Sequence, residues 1–410
     1  MSISKKKMRK SNKRVRPSMQ QRFAMYVGRI YARITLRRRY GFSCAPVTVG
    51  EPFILVANHT TDMDLLFSLL SVPHFMYYVL SEHLQRRSLF MKWAVKRMKL
   101  VSVFKGSVAG FSARNIIRLV RDGNNVCLFP EGGHSLDGRT NPFSSSTGRL
   151  IKSAGCALVT LRTHGGYFLK PRWAKNWRRG PVRTEGAKVY TSAELADRSP
   201  EEINALIARD IYVDAYAEQK EKLMAYPGEK LAEGLENIFY ICPVCGALET
   251  IKTEGNQFSC TQCGSRGSLD EYGYLSGNFP YKTVAEWSDW ERREVARRFE
   301  SGDVKSRAEN VRFLEITQDH KEHTLVTGHV SADCQAISIS GSGNAHYRFP
   351  YTEIEAMEYI DQCNTLLFSF DGHYYSLEAA YLDGALIRRL YILCSSNHAN
   401  QNGKRFDEAK

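Results

Sequence analysis

Apolar positions along this chain change period several times, and each change marks an element. Phe53-Ile54-Leu55-Val56 is a short unbroken apolar run that suits a buried strand. Val101–Phe104, Val126–Phe129 and Ala157–Leu161 repeat the pattern, and Ser112–Arg121 and Gly148–Ser153 read as helices between them. Such alternation predicts an α/β domain over residues 41–235, with functional groups in loops at strand ends. Ser199-Pro200-Glu201-Glu202 is an N-cap followed by proline and two acids, opening a helix that should run to about Ala225. Further on the period shortens. Val311–Ile316, His323–Val330, Gln335–Ile339, Ala345–Phe349, Ala356–Ile360, Thr365–Phe370 and Tyr374–Leu377 are β-type runs, closed by a helix over Tyr381–Leu393. Seven strands and one helix predict a small, mostly-β, pleckstrin-homology-like domain over residues 280–400.

Residues 19–36 show helical periodicity of another kind. Met19, Phe23, Val27, Ile30 and Ile34 share one face, Arg22, Arg29 and Arg33 a flank, and Arg37-Arg38-Arg39 closes the segment. Such a helix either lies in a membrane interface with its arginines near lipid phosphates or packs on the neighbouring domain. Charge bears on this choice. Residues 1–50 hold fourteen Lys or Arg and no Asp or Glu, so the whole net charge of +14 sits there on a neutral body. Residues 1–16 read as disordered, and residues 1–40 together as a basic arm and amphipathic helix facing an anionic partner. No apolar core follows the basic run, which argues against a secretory signal. The longest apolar stretch, Leu65–Leu80, is interrupted by Pro73 and His74 and is a poor membrane span. Ten clustered cysteines point to a reducing compartment. The expectation is a cytoplasmic protein, peripheral on the inner face of a membrane.

Candidate chemistry lies at two strand ends. His59 and Asp64 are five residues apart, which on a continuous helix is a turn of ~500° onto different faces. They meet only if His59 sits in the loop entering a helix and Asp64 in its first turn. Thr60, Thr61 and Asp62 are N-cap candidates ahead of Leu65. A carboxylate so placed fixes an imidazole tautomer and stabilises its cation; the alternative is that Asp64 only caps the helix. The second strand end carries Phe129-Pro130-Glu131-Gly132-Gly133-His134. There, Gly132 and Gly133 can offer backbone N–H groups to a ligand, or the segment is a simple turn.

Residues 236–275 carry Cys242-Pro-Val-Cys245-Gly and Cys260-Thr-Gln-Cys263-Gly, two C-x-x-C knuckles fourteen residues apart. Four thiolates in this arrangement suit tetrahedral zinc, and the segment resembles a zinc ribbon in which the metal is structural. A redox reading is weaker because the motif is doubled at ribbon spacing.

Asn58-His59-x-x-x-x-Asp64 followed by Phe129-Pro130-Glu131-Gly132 resembles the glycerolipid acyltransferase family that includes 1-acylglycerol-3-phosphate acyltransferases. The resemblance covers about residues 45–180. It implies an O-acyltransferase in which His59 deprotonates an acceptor hydroxyl, Asp64 orients His59, and the acyl group arrives on a thioester, acyl-CoA or acyl carrier protein. The acceptor it implies is 1-acylglycerol-3-phosphate or a related lysophospholipid or glycerophosphate. Glu131 would bind an acceptor hydroxyl or anchor Arg and Lys side chains. The family's usual arginine after the strand is not clear here; Lys105 and Arg114 are the candidates for an acceptor phosphate, with a solvated charge the alternative for Arg114. Gly133 and His134 stand where many members carry Thr or Ser and then Arg. Thr163–Trp173 resembles the stretch after a further family block, without its usual proline, and Arg172, Arg178 and Arg179 line either the acceptor entrance or a solvated face. Two rival readings remain, a non-catalytic membrane tether on the same scaffold and a nucleic-acid-binding zinc-ribbon protein. Nucleic acid is the less favoured partner, since it leaves both strand-end motifs without a role.

Overall fold

The computed structural model describes residues 16–83, 86, 101–103, 110–317, 319–341 and 345–401. Its first unit is a seven-stranded sheet made by β1 (Ser43–Cys44), β2 (Phe53–Ala57), β3 (Met76–Ser81), β4 (Val101–Val103), β5 (Asn125–Leu128), β6 (Ala157–His164) and β7 (Arg183–Tyr190), in the order β1-β7-β6-β2-β5-β3-β4. β2 is central and runs parallel to both β5 and β6. It is buried at every residue, as an unbroken apolar run should be in a sheet covered on both faces. Ile54 and Val56 pack with Ile116, Val120, Ile203 and Ile207 from the helices Gly110–Arg121 and Pro200–Ile211. Phe53, Leu55 and Ala57 pack the other way, with Met25, Leu69 and Leu161. Only the β6–β7 pair is antiparallel.

The helix expected to reach Ala225 is instead two pieces, Pro200–Ile211 and Ala215–Glu221. Val213 exchanges hydrogen bonds with Thr140, and the Asp214 carboxylate takes the N–H groups of Tyr216 and Ala217 and starts a new helix. A local side-chain cap therefore overrides a continuous helical period.

The N-terminal helix spans Met19–Tyr40, opens with a Ser18/Gln21 capping box and ends at Gly41 in the left-handed region. It has two apolar faces. Met25, Ala32, Leu36 and Tyr40 are buried against the sheet unit. Met19, Phe23, Val27, Ile30 and Ile34 face outward, with exposures from 86% at Met19 to 46% at Ile30. Packing on the body and an exposed apolar face therefore coexist on one helix.

A four-stranded antiparallel sheet follows: β8 (Ile251–Glu254), β9 (Gln257–Cys260), β10 (Arg266–Leu269) and β11 (Leu275–Gly277). The helix Val284–Glu300 stacks Trp287 on Phe239, ring centroids 3.9 Å apart. The C-terminal part is β-rich: β12 (Ser306–Ile316), β13 (Glu322–Ala332), β14 (Ala336–Gly341), β15 (His346–Pro350), β16 (Ile354–Ile360), β17 (Thr365–Phe370) and β18 (His373–Glu378), closed by the helix Gly384–Gln401. The strand order is β15-β14-β13-β12-β18-β17-β16, all antiparallel. One apolar cluster runs from Phe67 and Trp173 of the first unit through Phe258 and Trp287 to Phe313 and Leu386. No described helix is long and apolar enough to cross a membrane.

Candidate active site

Parallel register brings the two strand-end motifs together. Val56 pairs with Leu128 across β2 and β5, so His59 and Glu131 lie three residues beyond the same rung. The loop after β2 is fixed from below by Asn58, whose amide bonds the Thr163 backbone in both directions at 2.9 and 2.7 Å. His59 then stands at the mouth with one ring face on Phe129, centroids 4.5 Å apart and planes 18° from parallel. His134 meets the same imidazole edge-on at 4.2 Å.

Asp64 is buried at the start of the helix Asp64–Ser71, and its Oδ2 lies 2.8 Å from His59 Nδ1. The same carboxylate accepts from Thr60 N, Thr60 Oγ1 and Thr61 N at 2.5, 2.8 and 3.0 Å. These bonds pin the carboxylate, which in turn holds Nδ1 as the N–H donor and leaves Nε2 with its lone pair outward. Thr60, Thr61 and Asp62 do not cap the helix: Met63 occupies the N-cap with no side-chain bond, and Thr61 Oγ1 accepts from Met63 N instead. The two threonine hydroxyls are engaged inside the loop, Thr60 Oγ1 donating to Asp64 Oδ1 and Thr61 Oγ1 accepting from Met63 N, so neither caps the first turn.

Glu131 anchors main-chain N–H groups where Arg or Lys side chains were one expectation. Its Oε1 accepts from His59 N and its Oε2 from Asn141 N, both at 2.6 Å. Both carboxylate oxygens are thus engaged by main-chain N–H groups rather than by Arg or Lys. Burial pushes the Glu131 pKa up to about 8, while the N–H groups of Asn141 and His59 pull it down. Ser135 N donates to the His59 carbonyl at 2.8 Å, so the turn grips the histidine from both sides. Gly132 adopts φ +70° and its N–H points at the Phe129 carbonyl, 3.3 Å away, so it closes the turn instead of facing a ligand. A Cβ at Gly133 would lie 2.5 Å from Arg172 Nη1.

Arg114 is exposed on the helix Gly110–Arg121 and lines an open groove with Ile117, Arg118, Arg121 and Asp122. The small cavity beneath His59 is lined by other residues, including Asn58, Thr60, Glu131, Ser135 and Thr163. Lys105 lies outside the described residues, as do residues 1–15. Arg172 and Arg178 line no solvated face: Arg178 is buried and donates to the Leu231 carbonyl, and Arg172 is covered by the C-terminal part. Sequence reasoning missed Asn58, Phe129, His134 and Ser135 as members of the site. Their position inside or beside the two motifs was the available signal.

Cys242, Cys245, Cys260 and Cys263 bring four sulfurs within 4.8 Å of one another. Cys242 Sγ–Cys263 Sγ and Cys245 Sγ–Cys260 Sγ are each 3.8 Å. Tetrahedral zinc with bonds of about 2.3 Å sets its sulfurs ~3.8 Å apart, so the donor set fits that ion. Gly246 and Gly264 take φ +73° and +72° at the two knuckles, where a side chain would strain the turn.

Residues 36–163 match the family model described as Acyltransferase. Among curated proteins, the chain is similar to a 1-acyl-sn-glycerol-3-phosphate acyltransferase of Borreliella burgdorferi, 25% identical over 121 residues. That match covers 28% of this chain and 48% of the relative, so the chain spans about half the length of the curated relative it matches. Among solved structures it is similar to the 1-acyl-sn-glycerophosphate acyltransferase PlsC of Thermotoga maritima, at 19% identity and a TM-score of 0.41 over 49% of this chain and 81% of that one.

Proposed function

We infer, for a chain whose residues 36–163 belong to the acyltransferase family, that it moves a fatty acyl group from a thioester to the hydroxyl of a glycerophosphate lipid precursor. The acceptor we favour is 1-acylglycerol-3-phosphate, the substrate in the name of the curated relative, and the donor is acyl-CoA or acyl carrier protein. The observation that carries the reading is the 2.8 Å contact between His59 Nδ1 and the pinned Asp64 carboxylate. Nε2 of His59 takes the proton of the acceptor hydroxyl as its oxygen attacks the thioester carbonyl. The C–O bond forms, the C–S bond breaks, and the leaving thiolate recovers the proton from the imidazolium. Asp64 stabilises the cation between the two transfers. No covalent acyl-enzyme is needed, and Cys127 is fully buried within β5.

The outward apolar face of the helix Met19–Tyr40, flanked by arginines and preceded by a basic arm, supports work at an anionic membrane surface. The four-cysteine cluster supports a structural zinc ribbon held by Cys242, Cys245, Cys260 and Cys263. Bound there, the ion would crosslink the two knuckles and supply no chemistry at His59. Seven antiparallel strands with a closing helix support a pleckstrin-homology-like C-terminal domain.

Free thiol release by the purified chain, across glycerol 3-phosphate, lysophosphatidic acid and other lysophospholipids, tests the activity. Turnover with a phosphate-bearing acceptor is expected. Absence of turnover with both donor classes across the whole panel leaves the non-catalytic tether as the better account.

A further inference from the structure

Arg172 belongs to the first unit, three residues beyond the short helix Gly166–Leu169, yet its guanidinium is enclosed by the C-terminal part. Its side chain is 8% exposed. The guanidinium carbon lies 3.9 Å from the centroid of the Tyr359 ring, and Nη2 donates to the Tyr359 carbonyl and, at 3.3 Å, to Glu358 Oε1. The other oxygen of Glu358 meets Arg388 Nε at 3.3 Å, from the helix Gly384–Gln401. A planar cation held on a ring, a carbonyl and a carboxylate is locked in place, which an ammonium group in the same channel would not be.

The opposite edge of that guanidinium rests on the catalytic turn. Nη1 approaches the His134 carbonyl at 3.5 Å and occupies the space a Gly133 side chain would need. Two members of that turn bear on His59 directly, Ser135 on its carbonyl and His134 on its ring, and Glu131 just before it takes the His59 N–H. Contacts therefore run without a gap from β16 through Arg172 and residues 133–134 to His59. A buried cation serving only as an interface bolt would have no reason to touch this turn, and burial makes it a costly bolt.

We propose that Arg172 is a positioning residue, through which the C-terminal β-rich part sets the Gly132–Ser135 turn against His59 and makes acyl transfer depend on that part being docked. The proposal rests on the acyl-transfer reading above. Arg172 acts through the turn and touches no reacting atom.

The test uses the full-length chain and thioester turnover. Arg172→Met fills the same channel, keeps the contact with the Tyr359 ring and leaves Glu358 paired with Arg388, so no buried carboxylate is stranded. Its kcat should fall about 10- to 100-fold, the scale of a small misplacement of a catalytic group, with little change in donor KM or melting temperature. Gly133→Ala should cause a similar loss by driving the turn off Arg172. In the Arg172→Met background, Gly133→Ala should cost nothing further, because the atom it clashes with is gone. Losses that multiply, or wild-type kcat in folded Arg172→Met, overturn the proposal. Should Arg172→Met fail to fold, Gly133→Ala is compared with and without Arg172→Lys, which reaches the Tyr359 carbonyl without a second nitrogen over Gly133. A wild type that turns over no thioester sinks the acyl-transfer reading instead. Positioning is then read from the His59 ring signals in NMR spectra, which move in both single variants if Arg172 sets the turn and stay put if it does not.

Discussion

His59 has little freedom left to it. Its ring is stacked on Phe129, its Nδ1 is tied to Asp64, and its main chain is held by Glu131 and Ser135. His59→Ala should abolish turnover in a folded protein, since the base is lost from a loop outside the core. Asp64→Asn should lower kcat by about 10²–10⁴, through loss of imidazole orientation and of the charge that steadies its cation. Stopped assays beside melting curves separate these losses from unfolding, and near-normal turnover by folded His59→Ala would end the mechanism. Glu131 makes a different prediction. Glu131→Gln presents an amide NH₂ where one main-chain N–H needs an acceptor, so His59 N or Asn141 N loses its partner. A cost of about 1–3 kcal/mol is expected in denaturant melts. The substitution also removes a pH slope. The folded-state pKa of Glu131 is raised to about 8 against an ordinary value of about 4.3, so the folded chain holds that proton more tightly in between. Its contribution to stability is full below about pH 4.3, declines as pH rises towards about 8 and is level above. Unfolding midpoints measured from pH 5 to 9 should show the slope in the wild type and its loss in Glu131→Gln; parallel curves would refute it.

At the scale of elements, the sequence was legible where the relevant contact is local or periodic. The fully apolar β2, the His59–Asp64 spacing and all seven C-terminal β-runs depend on neighbours within a strand or a turn. The strands β7 to β11 and the helix Val284–Glu300 went unread, although Thr283 and Glu286 form a clear capping box before that helix. Arg172 stands out in the sequence, but its contacts do not. Its guanidinium is placed by Tyr359, 187 positions away, and no periodicity carries such a pairing. The N-terminal helix was read from its outward face alone; the buried stripe of Met25, Ala32, Leu36 and Tyr40 runs between the exposed positions. Its outward face leads to a prediction. Phe23→Ser with Ile30→Ser should cut partition onto anionic vesicles at least about 10-fold, because large apolar side chains contribute up to about 1.5–3 kcal/mol each when buried. Turnover on detergent-dispersed substrate should persist. Vesicle sedimentation unchanged by the pair would place membrane attachment elsewhere, with the C-terminal part the next candidate.

The whole molecule is joined more tightly than its succession of motifs suggests. Arg139 bonds both oxygens of Asp289 at 2.9 Å, and Arg292 bonds Asp137 at 3.1 Å, across the seam between the first unit and the helix Val284–Glu300. Arg298 of that helix donates to the Gly246 carbonyl at 2.7 Å, on the first cysteine knuckle. The four-cysteine site is thus tied through this helix to the first unit, and loss of a metal bound there should be felt beyond residues 236–275. Elemental analysis should find one zinc per chain. Cys245→Ser with Cys263→Ser should abolish it and lower the melting temperature of the entire protein in a single transition. Activity should fall in step with stability while preference among acceptors stays fixed. A separate low-temperature transition, with the remainder melting as in the wild type, would show the ribbon to be an independent appendage.

The order of strands in the C-terminal sheet also sets a clock. Its first strand, β12, lies between β13 and β18, the second and the last of the series. A growing chain cannot close this sheet until its seventh strand has left the ribosome, roughly 200 residues after Arg172 has been made. At ~5–20 residues per second that is a wait of about 10–40 s, during which Arg172 is without the strand that orients it. On the positioning role proposed for Arg172, a nascent chain would carry both catalytic motifs long before it could use them, and would become competent only after the C-terminal strands have emerged.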